Sequence, residues 1–269
     1  MPLHFEIVVR KMESFKRENV IEIFEFVLLA FAIPGICIGI IGISTDATLN
    51  FILYGIEGAS PALATLIVVF VHGKRTGLSS FLCNKYCKNL NLKFCILGFA
   101  VPFVILTIAK FISIAMGDSY HYPVVPTMKK LVIIAWALIA EELGWRGYLQ
   151  DKLESIMPYM YIPFVTGIIW TLWHYHFILS GSMEVPYFAF MLGCVFESYG
   201  YYAITKLAKN NVVPASIWHF TGNLMFNLYR FDPQWHEGNI SFYWITTICY
   251  GVNVILFIVY VKKCRESIG

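Results

Sequence analysis

The segment "EELGWR", Glu141 to Arg146, places two adjacent carboxylates and a guanidinium directly after the apolar run "KKLVIIAWALIA". Ionisable side chains in such a run are costly in a membrane, and by default they mark function. Glu142 and Arg146 are four residues apart, so on a helix they share one face and can form an ion pair. Glu141 points about 100° away from that pair. It is therefore the carboxylate left free for acid–base chemistry.

Two further apolar segments carry polar groups, "WTLWHYHF" with His174 and "SIWHFTGN" with His219 and Asn223. His219 and Asn223 are four residues apart and project from one helix face, as do Trp170 and His174. A water molecule that attacks a peptide carbonyl needs a base for its proton and preorganised donors for the oxyanion that forms. A glutamate paired with a histidine, facing a second histidine and an asparagine, supplies both.

The elements that must position these groups are membrane helices. The chain has 269 residues, 58% of them hydrophobic and only 14% charged, against about 25% charged in soluble domains. We predict an all-α fold, a polytopic transmembrane bundle that forms a single integral membrane domain over residues 1–269. Eight stretches approach the roughly 20 apolar residues that a spanning helix needs, at about 25–44, 51–71, 94–116, 131–150, 159–179, 185–207, 212–229 and 241–261.

The distribution of positive charge predicts the orientation of this bundle. Fifteen lysines and arginines fall on the side that holds both termini, and only Lys129, Lys130 and Arg230 fall on the other. Because basic residues favour the cytoplasmic side, we expect both termini, the segment 1–20 and a soluble loop at about 72–93 to be cytoplasmic. In this arrangement Glu141, His174 and His219 lie at one depth, roughly 12–20 Å from the cytoplasmic helix ends.

Composition also limits the partners. The basic residues form no stripe with interleaved aromatics, so nucleic acid is not expected as a partner, and the lipid bilayer is. Seven cysteines, an odd number with several in apolar runs, imply no disulfide framework. The pair Cys83 and Cys87 could be half of a zinc site, but no second pair follows at a suitable spacing. We therefore expect no cofactor.

The three polar segments together resemble the CPBP family of CAAX proteases and bacteriocin-processing enzymes. "EELGWR" matches the family's EExxxR motif, "WTLWH" resembles its FxxxH motif, and "HFTGN" matches its HxxxN motif. Trp170 stands where the family usually has phenylalanine, which preserves an aromatic wall but changes the shape of the pocket. The motifs occur in the family order, and the resemblance covers a core from about residue 131 to 229.

This resemblance implies an intramembrane endopeptidase of the glutamic type, similar to the Ras-converting CAAX endopeptidase, without an obligatory metal. Carried over by motif, Glu141 and His174 would hold and activate the attacking water, and His219 and Asn223 would form the oxyanion hole. Glu142, Arg146 and Trp170 would support the site. The substrate would be a lipidated or membrane-associated protein or peptide.

Two other interpretations are compatible with the same residues. Two histidines and a glutamate meet the three-ligand count of a catalytic zinc site, which would make the chain a membrane metalloprotease, although HExxH is absent. The chain could instead be a non-catalytic immunity or sensor-regulating protein. The sequence assigns no role to Glu57, His176, Glu197 or the cysteine pair. Its short form suggests a bacterial plasma membrane.

Overall fold

The structure is a computed structural model that describes residues 2–181, 183 and 185–266, with side chains for residues 16–181, 183 and 185–263. Within these residues all regular secondary structure is helical, which confirms the all-α prediction. The α-helices are α1 Pro2–Ile41, α2 Ala47–Gly58, α3 Ser60–Leu82, α4 Leu92–Ala115, α5 Met128–Ala140, α6 Glu142–Gly144, α7 Gln150–Glu154, α8 Ile162–Trp173, α9 Tyr175–Leu179, α10 Tyr187–Leu207, α11 Val213–Leu228, α12 Ser241–Tyr250 and α13 Val252–Glu266. Two π-helical turns, Cys83–Cys87 and Trp145–Leu149, and a 3₁₀ turn, Pro233–His236, complete them.

The chain is a multi-pass membrane protein. Five of the described helical stretches are long and apolar enough to cross a bilayer, namely Lys16–Ile41, Ser60–Cys87, Leu92–Ala115, Ile162–Leu179 and Ser241–Lys263. The predicted number of eight spans is not confirmed. The prediction of a loop at 72–93 was wrong for most of that segment, because α3 continues to Leu82 and a π-helical turn follows it.

The predicted spans that fall outside these five are shorter, more polar or interrupted. Helix α11 has only 16 residues, and α10 carries Glu197 and Lys206 among several tyrosines and glycines. The predicted span 131–150 is broken at Glu141, and the predicted span 51–71 is divided at Ala59. Periodicity detects apolar segments but not these interruptions, which tertiary packing decides.

Two of the interruptions coincide with residues singled out for chemistry. Helix α5 ends at Ala140, Glu141 has φ −119° and ψ −44°, and the helix resumes at Glu142. Helix α8 ends at Trp173, His174 has φ −69° and ψ 1°, and α9 begins at Tyr175. Broken helices at membrane depth are tolerated where protein or water surrounds the freed backbone groups. The breaks at Glu141 and His174 therefore indicate that protein or water, and not lipid, surrounds the backbone at these two residues.

Close helix packing holds these interruptions in place. Helix α11 packs mainly on α4, and α10 packs mainly on α8. Three glycines allow the backbones to approach: Gly98 faces Pro214, Gly144 faces Pro61, and Gly167 faces Val195. Small residues at such contacts are typical of membrane bundles, where van der Waals packing drives helix association.

We expect Gly98→Ala to destabilise the bundle. A Cβ on Gly98 would lie 2.3 Å from the carbonyl oxygen of Pro214, so α11 must move away from α4, at a cost of about 1–3 kcal/mol. Thermal unfolding in detergent measures the change. Gly39→Ala is the matched control, since no atom of the described residues lies within 4 Å of that Cβ. Equal unfolding temperatures for the two variants would contradict this packing.

Some predictions reach beyond the described part of the chain. Residues 182 and 184, between the predicted spans 159–179 and 185–207, lie outside the described residues, as do the side chains of Arg10, Lys11 and Arg265 used for the orientation. The cytoplasmic placement of both termini therefore stays a prediction.

Candidate functional site

Glu141 lies at the centre of the site. Its carboxylate oxygen Oε2 accepts a hydrogen bond of 2.9 Å from the indole Nε1–H of Trp170. Its other oxygen, Oε1, lies 4.0 Å from Nε2 of His219, and 12% of the side chain is exposed. One oxygen is thus held by the protein, while the other faces the ring of His219 beyond hydrogen-bond distance.

A backbone hydrogen bond sets the orientation and the tautomer of His174. Its Nδ1 lies 2.8 Å from the backbone carbonyl oxygen of Trp170. A carbonyl only accepts, so Nδ1 carries a proton, and in the neutral imidazole Nε2 keeps its lone pair. The ring packs edge-on against Trp170 and Phe190, at centroid distances of 5.6 and 4.8 Å. His174 can therefore accept a hydrogen bond from water through Nε2.

Glu142, Arg146 and His219 form one buried network. Glu142 Oε1 accepts from Arg146 at 3.0 Å and from His219 Nδ1 at 2.8 Å. The predicted ion pair between Glu142 and Arg146 is confirmed. The bond to His219 was not predicted, because it joins residues 77 apart in sequence. Glu142 thus fixes the ring of His219 and directs its Nε2 toward Glu141.

Aromatic rings and a hydroxyl hold the guanidinium of Arg146 in the protein interior. Its carbon Cζ lies 3.9 Å from the ring centroid of Tyr201 and 4.6 Å from that of Trp170. A further contact of 3.4 Å reaches the hydroxyl of Ser198. Cation–π contacts of this kind compensate part of the cost of a buried charge.

Asn223 follows His219 by one turn on α11, which runs through both residues without interruption. Its side chain is half-buried, and among the described residues no hydrogen bond occupies its amide group. The amide therefore remains available to a ligand on the helix face that His219 shares. The structure shows no direct bond between Asn223 and the other predicted site residues within the described chain.

The structure thus brings Glu141, Trp170, His174 and His219 into contact, and Trp170 is the link. Its ring packs against His174 and His219, at centroid distances of 5.6 and 5.5 Å. Among the described residues, Glu141 and His174 make no direct hydrogen bond; both bond to Trp170 instead. The sequence predicted the members of the site but not this arrangement.

Glu197 is a neighbour of the site to which the sequence assigned no role. Its Oε1 and the hydroxyl of Tyr250 lie 3.6 and 3.7 Å from the position that a Cβ on Gly222 would occupy. Gly222 lies between His219 and Asn223 on α11. An ionisable residue inside an apolar helix is itself a functional signal. In the sequence, this was the signal that could have placed Glu197 near the site.

The remaining residues without an assigned role lie elsewhere. His176 is buried and donates from Nδ1 to the carbonyl oxygen of Trp173. Glu57 is fully buried, and neither carboxylate oxygen has a hydrogen-bond partner within the described chain. Cys83 and Cys87 are exposed free thiols in the first π-helical turn. Over the residues described, no three His, Cys, Asp or Glu side chains converge as a metal-binding group.

Comparison with known proteins finds a family match over the segments that form this site. Residues 123–225 match the model of a family described as type II CAAX prenyl endopeptidase Rce1-like. This segment is similar to the Rce1-like family. The matched residues contain Glu141, His174, His219 and Asn223, and the resemblance stated from the three motifs is confirmed.

A relative of the Rce1-like segment is the CAAX prenyl protease 2 of Methanococcus maripaludis. The two chains are 36% identical over 66 residues, which cover 24% of this chain and 23% of that protein. The chain therefore spans about a quarter of the length of the curated relative that it matches. The comparison supports a protease of the membrane and leaves the roles of single residues open.

We expect Glu142→Gln to lower the amount of folded protein. The change leaves Arg146 buried without its carboxylate, and removing one partner of a buried pair typically costs about 3–5 kcal/mol. Yield of monodisperse protein and thermal unfolding in detergent measure this loss. Glu25→Gln is the matched control, because Glu25 forms an exposed pair with His72 and such pairs contribute about 0–1 kcal/mol. Equal yields from both variants would contradict a supporting role for Glu142.

Proposed function

We propose that the chain is an intramembrane endopeptidase that hydrolyses a peptide bond in a lipidated or membrane-associated protein or peptide. The observation that carries the proposal is the contact between three separate helical segments at Trp170. There, Oε1 of Glu141 faces the ring of His219, and the Nδ1 of His174 is held by a backbone carbonyl, so that Nε2 is the acceptor of the neutral ring. The match of residues 123–225 to a prenyl endopeptidase family supports the same reaction.

In the proposed mechanism, Glu141 and His174 bind the attacking water. As the water oxygen attacks the carbonyl carbon, Glu141 takes one proton, while Nε2 of His174 accepts a hydrogen bond from the same water. The carbonyl oxygen gains a negative charge, which His219 and the Asn223 amide stabilise. His219 donates from Nε2 in its imidazolium form, because its Nδ1–H is already bonded to Glu142. The C–N bond then breaks as the proton on Glu141 passes to the leaving nitrogen. One water and one peptide bond thereby become a carboxylic acid and an amine.

Glu142, Arg146 and Trp170 support this chemistry without taking part in bond making. We also propose that residues 1–269 form one membrane domain with its catalytic core at about 131–229. In this proposal the termini lie in the cytoplasm, and the plasma membrane of a bacterium is the expected location. The proposed mechanism uses no metal, and the zinc alternative is tested below.

The substrate class is tested with purified protein in lipid nanodiscs and two peptides of identical sequence, one farnesylated on a C-terminal CAAX cysteine and one unmodified. Mass spectrometry identifies the fragments. We expect the farnesylated peptide to be cleaved, because the relative from Methanococcus maripaludis is a prenyl protease by name. Cleavage of the unmodified peptide alone would exclude the lipidated class. Folded wild-type protein that cleaves neither peptide would contradict the proposed function for these substrates.

A further inference from the structure

We propose that Trp170 is a positioning residue that orients Glu141 through its indole N–H. The phenylalanine that is usual at this place in the CPBP family has no N–H and cannot make this bond. The proposal rests on the proposed function. Its starting point is the hydrogen bond of 2.9 Å from Nε1 of Trp170 to Oε2 of Glu141. Trp170 is itself buried, with 4% of its surface exposed, so water competes weakly for this bond.

Glu141 needs such a donor because of where it lies. It occupies the break between α5 and α6, where no continuous helix restricts its side chain. Two carboxylate oxygens and free rotation would present the base in several directions. The indole N–H binds Oε2 and leaves Oε1 on the side of His219, 4.0 Å from Nε2. The bond therefore selects which oxygen meets the water.

The same residue also orients His174. The carbonyl oxygen of Trp170 accepts a hydrogen bond from His174 Nδ1–H, which makes Nε2 the acceptor in the neutral ring. The indole ring packs on the rings of His174 and His219. A single residue thus fixes the direction of the carboxylate, the tautomer of one histidine and the position of the other. A phenylalanine would keep the backbone bond and the ring packing but lose the bond to Glu141.

The neighbouring tryptophan shows that this role belongs to one position. Trp173, in the same "WTLW" segment, donates its Nε1–H to the hydroxyl of Ser60 and the carbonyl oxygen of Ala30. That bond joins helices away from Glu141. The two indoles are therefore not interchangeable, and only the one at position 170 reaches the carboxylate.

The test compares Trp170→Phe with wild type in detergent. We expect kcat to fall by about 10- to 100-fold, the loss associated with one hydrogen bond to a charged group. KM should stay within twofold of wild type, because the ring and the backbone carbonyl are retained. Trp136→Phe is the matched control, since its indole binds the carbonyl oxygen of Gly55 on an exposed part of the structure. A kcat for Trp170→Phe within twofold of that control would overturn the proposal.

A second measurement reads the bond without any substrate. The chain has seven tryptophans, and ¹⁵N-tryptophan labelling gives each indole N–H its own NMR signal. The Trp170 signal is the one missing in Trp170→Phe. We expect Glu141→Ala to move that signal and leave the Trp136 signal in place. An unchanged Trp170 signal would overturn the proposed bond. If wild type cleaves no peptide, the proposed function fails, while the NMR result still decides the bond.

Discussion

Glu141→Gln should reduce cleavage by about 10²- to 10⁴-fold, the usual contribution of a positioned general base. Glutamine has nearly the same shape and still offers an oxygen to the indole of Trp170, so the site should keep its geometry. An amide oxygen is far too weak a base to take the proton of the attacking water. Single-turnover rates, measured with the protein in excess of the peptide, give the chemical step directly.

The control for this loss is the stability of the variant. Within the described part of the chain, Glu141 pairs with no cation at salt-bridge distance other than His219, at 4.0 Å, and its side chain is 12% exposed. We therefore expect Glu141→Gln to unfold at the temperature of wild type, in contrast to Glu142→Gln, which leaves Arg146 unpaired. Near wild-type turnover in Glu141→Gln would exclude Glu141 as the base. A loss of both activity and folded protein would instead assign Glu141 a structural role.

Asn223→Ala should slow the chemical step by about 10²- to 10³-fold with little change in apparent substrate affinity. Loss of one oxyanion donor has this effect in other enzymes, because the donor binds charge that exists only as the bond breaks. Asn227→Ala is a suitable control, since Asn227 lies one turn further on α11 and its amide donates to the carbonyl oxygen of Asn223. Equal rates for the two variants would contradict an oxyanion role.

Variants of Asn223 and His219 distinguish this chemistry from zinc catalysis. An asparagine amide is a poor zinc ligand, whereas histidine is a good one. If zinc were the catalyst, His219→Ala would remove one bound metal per chain, and a chelator such as phenanthroline would stop the wild type. Under the proposed mechanism, elemental analysis finds no stoichiometric metal and the chelator leaves the rate unchanged.

Much of the fold followed from local patterns in the sequence. The span predicted at 94–116 corresponds to α4 at Leu92–Ala115, because a continuous apolar run has few alternatives in a membrane. The ion pair of Glu142 with Arg146 followed from their spacing. These predictions depend on neighbours within a few residues, which the sequence displays directly.

The arrangement of the site depended on contacts that local patterns do not display. Neither Pro nor Gly stands at Glu141 or His174 to indicate a break. The prediction therefore assumed a continuous helix, with 100° per residue, through both positions. The bonds from Trp170 to Glu141 and from His219 to Glu142 join separate helical segments. Trp170 was predicted to supply an aromatic wall of the pocket, and its ring does so. The prediction did not consider a bond from its indole N–H. An indole that is buried needs a partner for this group, and that requirement could have indicated the bond.

The most direct test of the central claim is the mass of the products that purified wild type releases from a farnesylated peptide in H₂¹⁸O. If Glu141 activates water against a peptide bond, two fragments should appear, the new carboxyl terminus should carry one ¹⁸O atom, and Glu141→Gln should yield neither fragment above background. An intact peptide after incubation with folded wild type, or equal labelled product from Glu141→Gln, would contradict the account.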